Sequence, residues 1–351
     1  MHYPVQDPLQ CRIQLAVARL MRRVLVTGAS GFIGHHVAVA LHQRGIAVRA
    51  TGRDPAALAR LPDGIERMPG DLRSTDAAAL LRGCDAVVHS AARSSPWGTA
   101  HDFQADNVDA TSRLLQAALA AGVGRFVHFS SPTIYFSFSD QLQRREDFTA
   151  PARWITHYAR SKWEGELRVR DAAAQGLPAL VLRPRAVLGD GDRAVLPRAM
   201  AMARRGVFPL IGGGQAWVDI TAVDNVVDAT LAALQADAAL ADGRAYNITN
   251  GEPIQVATLF EQVFAHAGLQ PRRLHVPRQA ARALGAISEG IARRRPGCPE
   301  PGLTRYAAGV LGWSQTLDIG RARHELGYAP RLDNAATVQR AVQAIQAVQQ
   351  S

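Results

Sequence analysis

Short apolar runs separated by amphipathic, alanine-rich stretches organise the first half of the chain. Residues 22–27, where Val24, Leu25 and Val26 are consecutive, read as a buried strand, and the pattern returns at 46–51, 65–68, 86–89, 125–129 and 179–184. Between these runs the apolar positions recur at helical spacing, up to Arg44 after the first strand and then over 75–82, 107–121 and 156–175. Alternation of this kind predicts parallel βαβ units whose ligands lie beyond the carboxyl ends of the strands. From about Arg185 the elements become shorter and more mixed, punctuated by Gly189-Asp190-Gly191-Asp192 and Gly212-Gly213-Gly214. No internal repeat is evident.

The strand ends carry the chemistry. The first runs into Gly28-Ala29-Ser30-Gly31-Phe32-Ile33-Gly34 and then a helix. Glycines there let the backbone turn tightly and approach a pyrophosphate, whose charge the free N–H groups at the helix start would meet. The G-x-x-G-x-x-G spacing is one residue wider than the usual dinucleotide fingerprint. The expected fold is therefore α/β: a Rossmann-type doubly wound parallel sheet over 21–184, with a smaller, mixed substrate-binding region over 185–345 that returns some segments to the sheet. The second strand ends in Thr51-Gly52-Arg53-Asp54. A basic tip favours the extra phosphate of NADP(H), while Asp54 keeps NAD(H) open. Asp71 in Gly70-Asp71-Leu72 is either an adenine contact or a plain helix cap, and Ser90-Ala91-Ala92 closes the fourth strand.

The fifth strand ends in Ser130-Ser131, where a hydroxyl can hold a substrate carbonyl oxygen, or else cap a turn before Pro132. The next helix carries Tyr158-Ala159-Arg160-Ser161-Lys162, and Lys162 is the only lysine among 40 basic residues. One helical turn separates phenol from ammonium, so the cation can favour the phenolate. An ammonium is also a compact donor that fits between sugar hydroxyls, which a guanidinium does not.

Composition narrows the alternatives. With 351 residues, 47% of them hydrophobic, the chain can bury a full core, and no run reaches the length that crosses a bilayer. The net charge of +10 comes from arginines interleaved with acidic residues, so a solvated basic surface is expected, with no nucleic-acid partner and no stable membrane insertion. Cys11, Cys84 and Cys298 have neither disulfide nor zinc spacing, and Asp190 and Asp192 read as turn formers, so no metal is expected. The absence of a secretory signal suggests a cytoplasmic location. Residues 1–20 precede a natural-looking start at Met21 and read as an extension or a misassigned start. The apolar stretch 280–291, ending in Arg293-Arg294-Arg295, is a packed surface helix, a membrane-surface contact or a lid.

Together, Thr27 to Gly34, Gly70-Asp71-Leu72, His89-Ser90-Ala91-Ala92, Asn107-Val108-Asp109-Ala110-Thr111, Ser131 and Tyr158-x-x-x-Lys162 resemble the extended short-chain dehydrogenase/reductase family over about residues 22–330. The resemblance implies that Tyr158 is the general acid/base, that Lys162 binds the nicotinamide ribose and lowers the tyrosine pKa, and that Ser131, or Ser130 in another register, holds the reacting oxygen. It places the cofactor against Gly28, Ser30, Gly31, Phe32, Ile33, Gly34, Arg53, Asp71, Leu72, Ala91, Ala92, Asn107, Tyr158, Lys162, Pro184 and Val187. It also suggests a homodimer pairing the helices near Asn107 and Tyr158.

Departures narrow the substrate. Ala186 and Val218 stand where sugar-nucleotide epimerases of that family usually carry the asparagine and arginine of a diphosphate clamp. The segments 182–185, 218–226 and 247–253 instead resemble the 3β-hydroxysteroid dehydrogenase and 2-alkyl-3-oxoalkanoate reductase branch. An apolar ketone or alcohol is implied, with Thr133 as a pocket candidate, Trp97, Tyr135 and Trp217 as either pocket walls or core, and Arg185 available to a carboxylate if the substrate is an oxo acid. A nucleotide-sugar epimerase or a non-catalytic NADP-sensing protein are the alternatives.

Overall fold

In a computed structural model of the chain, residues 21–95, 97–192 and 195–350 are described, and the 1–20 extension with Cys11 lies outside them. The early strands are β1 (Arg23–Thr27), β2 (Ala47–Gly52), β3 (Glu66–Pro69), β4 (Ala86–His89), β5 (Arg125–Phe129), β6 (Gln141–Arg144) and β7 (Ala179–Pro184). All but β6 lie in one parallel sheet, with β1 paired to β2 on one side and β4 on the other. Strand order runs β3-β2-β1-β4-β5-β7, so the topology reverses between β1 and β4 and opens a crevice at their carboxyl ends.

Apolar runs without alternation suit this sheet because both faces are covered. Val24, Val26, Val48 and Val88 pack under the helices Phe32–Gln43 and Val223–Gln235. Leu25, Val87, Phe126 and Val181 face the other way, against Ala110–Ala120 and His157–Ala174. The helix expected from Asn107 begins earlier: Ala100–Phe103, capped by Thr99, passes through a π-helical turn at Gln104–Asp109 before Ala110. Widening the helix there buries Asp106 and Asn107.

Beyond Pro184 come β8 (Val187–Leu188), β9 (Val207–Ile211), β10 (Trp217–Val218), β11 (Thr221–Ala222), β12 (Asp242–Ile248), β13 (Ile254–Gln255), β14 (Arg272–Val276) and β15 (Gln315–Leu317). β12 returns to the main sheet as its seventh strand, parallel to β7. A smaller mixed sheet runs β13-β10-β15-β6, and β9 pairs with β14. A second core forms around Phe208, Phe260 and Phe264, with ring centroids 4.6 and 4.9 Å from Phe208 to the other two.

The helix Arg278–Arg294 buries Ala281, Gly285, Glu289 and Ala292. Gly285 is needed where the helix meets Arg305, since a Cβ there would lie 2.7 Å from the Arg305 nitrogen. Glu289 accepts from the Arg305 N–H at 2.7 Å and its Nε at 3.0 Å, while Leu284, Ile287 and Ile291 face solvent. Among the described residues, no helix is long and apolar enough to cross a membrane.

Candidate active site

The turn after β1 is built against the end of β4. Gly28 has φ of +70°, and a Cβ on it would stand 2.6 Å from the Ala91 nitrogen. A Cβ on Gly34 would meet the Gly28 carbonyl oxygen at 2.3 Å and Ser90 Oγ at 2.6 Å. Ser90 Oγ donates to the Thr27 carbonyl oxygen at 2.7 Å, and the Ala91 N–H donates to Thr27 Oγ1 at 3.3 Å. Ser30 packs on Gly52 at the end of β2, Gly31 is the N-cap of the helix opened by Phe32 and Ile33, and Phe32 covers Gly189 and Gly191. The loop 28–34, Ala91-Ala92 and the tip of β2 thus converge at the topological switch point.

At that tip the charge is organised around Asp106, which the π turn buries. Arg93 Nε donates to Asp106 Oδ2 at 2.9 Å, Arg73 Nε lies 3.4 Å from Oδ1, and Arg53 Nη1 lies 3.6 Å from Oδ2. Asp106 thus anchors three guanidiniums, of which Arg53 keeps 54% of its side chain exposed. Asp71 uses both carboxylate oxygens on Arg73, with bonds of 2.7–3.0 Å, and its carbonyl oxygen accepts from the Ser74 and Thr75 N–H groups. Arg73 holds its pKa below the usual carboxylate value. Asp71 is not the cap of the following helix, whose N-cap is Asp76, and Leu72 after it packs against the core. Asn107 stitches two parts of the site: its Oδ1 accepts from the Arg93 N–H at 2.7 Å, and its Nδ2 donates to the Arg93 carbonyl at 3.1 Å and to Ser161 Oγ at 2.9 Å.

Thr156 caps the helix His157–Ala174, which presents Tyr158 and, one turn on, Lys162. Ser131 stands close enough to Tyr158 to favour its phenolate, and its Oγ lies 2.7 Å from Thr133 Oγ1. Ser130 instead completes the sheet, its N–H donating to the Leu182 carbonyl while its Oγ is buried without a partner. The geometry therefore distinguishes the two serine registers and brings Ser131 to the tyrosine. Thr133 Oγ1 lies 3.2 Å from Tyr306 OH, extending the hydroxyl chain to a residue that sequence reading missed. Burial pushes the Tyr158 phenol up to about 12, with Ser131 acting the other way. Burial takes Lys162 itself down to about 8, and its Nζ donates to the Phe129 carbonyl oxygen at 2.7 Å.

The pocket candidates divide. Tyr135 is not a wall: it is 3% exposed, donates to Asn247 Oδ1 at 2.9 Å and accepts from Arg183. Arg183 also grips Glu166 through Nε at 2.8 Å and Nη2 at 2.5 Å, so Tyr135 belongs to a buried polar core. Trp97 ties its loop to the far end of the chain through Nε1 and the Cys298 carbonyl at 2.8 Å, with Arg293 over its ring. Trp217 lies on β10, 43% exposed, opposite Gln255. Pro184 pairs with Ile248 at the end of β7, and Val187 with Thr221 in the next strand pair. Between them sits Arg185, 5% exposed, its Nε buried without a partner. Asp219, 1% exposed, accepts from the Leu317 N–H at 2.7 Å, and burial raises its pKa to about 6. Asp192 caps the Val195 and Leu196 N–H groups, a turn-forming role. Among the described residues, no three His, Cys, Asp or Glu side chains converge as a metal site.

A dinucleotide fits this crevice. Gly28 and Gly34 let the turn close tightly on Ala91 and Ser90 where any Cβ would clash, a helix begins there, and the arginines around Asp106 supply positive charge at the tip of β2. Comparison with known proteins agrees. Residues 24–249 match the model of the NAD dependent epimerase/dehydratase family. The chain is 38% identical over 318 residues to the uncharacterized protein YbjS of Escherichia coli (strain K12), covering 88% of this chain and 93% of that one. It is 32% identical over 335 residues to a 2-alkyl-3-oxoalkanoate reductase of Shewanella oneidensis, covering 92% and 86%. Among solved structures it resembles MoeE5 in complex with UDP-glucuronic acid and NAD, with a TM-score of 0.73, 26% identity and coverage of 93% and 99%.

Proposed function

The chain belongs to the NAD dependent epimerase/dehydratase family, and from that premise we propose that it is an NADP(H)-preferring oxidoreductase interconverting a ketone and a secondary alcohol on a hydrophobic substrate of β-keto-acid or steroid type. Relatives named as reductases and dehydrogenases support the reaction class. A nicotinamide cofactor bound along 28–34, Ala91-Ala92 and Lys162 would supply or accept the hydride.

The observation that carries the reading is that Ser131 is brought beside Tyr158, with Lys162 one turn away. Ser131 and Tyr158 would hold the substrate oxygen between two hydroxyls, and Tyr158 would give or take its proton. Thr133, bonded to Ser131, fixes the serine's orientation. Phe129 and Asn107 hold the helix that carries the tyrosine, through Lys162 and Ser161. Ala186 and Val218 supply no polar group for a diphosphate, which favours an apolar substrate over a nucleotide sugar. The exposed Arg53, backed by Asp106, supports the preference for the phosphorylated cofactor.

The test is a titration of NADPH and NADH into the purified protein, followed by absorbance at the reduced nicotinamide band with hydrophobic ketones, β-keto acids and steroids. Consumption of NADPH with a ketone is expected. Tight cofactor binding without consumption, together with binding of a UDP-sugar, would overturn it in favour of an epimerase.

A further inference from the structure

We infer that Arg185 is the receptor for a substrate carboxylate, so that the site selects an anionic oxo acid over a neutral ketone of the same shape; this rests on the ketone-reducing reading above. Two arginines lie two residues apart at the end of β7, and they are used differently. Arg183 is fully buried and its guanidinium is spent on the Glu166 fork, the Tyr135 hydroxyl and the Glu146 carbonyl. Arg185 is also buried, yet its Nε has no partner. Only its backbone is tied down, its N–H donating to the Ile248 carbonyl at 3.1 Å and its carbonyl accepting from Thr221.

A guanidinium stays charged at any ordinary pH, so burying one without a carboxylate is costly unless a ligand supplies it. The nearest acid does not fill that need. Asp219 has its Oδ2 engaged by the Leu317 N–H, and its Oδ1, like the Arg185 Nε, is buried without a partner, so the two do not form a hydrogen-bonded pair. Arg185 lies near enough to Tyr306 and Asp219 for both to act on its charge. Tyr306 leads back through Thr133 and Ser131 to Tyr158. The unspent cation thus stands at one end of a hydroxyl chain whose other end would hold the reacting oxygen. That arrangement fits an acid whose carboxylate and carbonyl are a few bonds apart. The planar fork of arginine suits a carboxylate bidentately.

The experiment compares 3-oxodecanoate with its methyl ester as substrates of wild type, R185Q and R185K, and measures binding of decanoate to the NADPH-loaded enzymes by calorimetry. Wild type is expected to favour the acid in kcat/KM by roughly 30-fold, mostly through KM, and R185Q to lose that preference. R185K, which keeps the charge without the fork, is expected to fall between them, and it carries the test should R185Q fail to fold. Decanoate is expected to bind wild type and to lose affinity in the variants. An acid-to-ester ratio near one in wild type, or the same ratio in the variants, would overturn the assignment. So would an equal loss on both substrates, which is what a water-bridged Arg185–Asp219 structural pair would give. If wild type reduces neither compound, the reductase reading fails, while decanoate binding still answers separately for Arg185.

Discussion

The Lys162 ammonium donates to the carbonyl oxygen of Phe129, the last residue of β5, at 2.7 Å. The strand that delivers Ser131 two residues later therefore also fixes the lysine that follows Tyr158 by one turn. This strand–helix contact ties the serine's strand to the helix of the tyrosine and lysine.

Tyr158→Phe is expected to lower kcat by about 1000-fold while leaving NADPH affinity within about twofold, since the phenol is assigned to proton transfer. Lys162→Arg should damage both, because the guanidinium is larger than the ammonium at the buried Phe129 carbonyl. Steady-state kinetics with a fluorescence titration of NADPH separates the two. Unchanged turnover in either variant would remove the assignment.

Arg53→Ala is expected to weaken NADPH binding by roughly 30-fold and to leave NADH nearly untouched, the loss of one charge-assisted contact to a phosphate. Parallel titrations read it directly, and equal losses for both cofactors would contradict the role given to Arg53.

Glu166→Gln leaves Arg183 charged and buried with only neutral partners. A destabilisation of about 3 kcal/mol is expected in urea denaturation, and the double replacement of Arg183 and Glu166 by methionine should recover much of it. A change below about 0.5 kcal/mol would show that the fork contributes little.

His89 sits between Thr27 Oγ1 at 2.7 Å and Thr111 Oγ1 at 2.9 Å, and burial lowers its pKa to about 3. The unfolded chain binds this proton below about pH 6.5 and the native state does not, so stability falls as pH drops through that window. Relative to His89→Gln, wild type should lose about 3 kcal/mol of stability between pH 7 and pH 4. A pH-independent difference between the two proteins would contradict the buried neutral imidazole.

The sheet and the Tyr158 helix were legible because each reports itself locally: consecutive Val24, Leu25 and Val26 need cover on both faces, and Thr156 caps where the helix begins. What escaped depends on distant partners. Tyr306 reaches Thr133 across 173 residues, and no local motif marks it. From its place after β5 Tyr135 fits a pocket wall or the core equally, and it is core because Arg183 and Asn247 arrive from β7 and β12. The π turn likewise has no periodic signature, since it inserts a residue into an otherwise ordinary helical stretch.

The strand β12 has a bearing on how this protein is made. Until residue 248 has been synthesised, β7 presents a raw, hydrophobic margin bearing Leu180 and Leu182, open to any extended chain that drifts against it. Closing that margin requires the whole 185–241 excursion to emerge first. Such long-range closure slows folding and lengthens the exposure of the nascent chain. A fragment cut at Pro184 would carry every glycine of the first turn and both Tyr158 and Lys162, yet its tendency would be to aggregate rather than to stand alone.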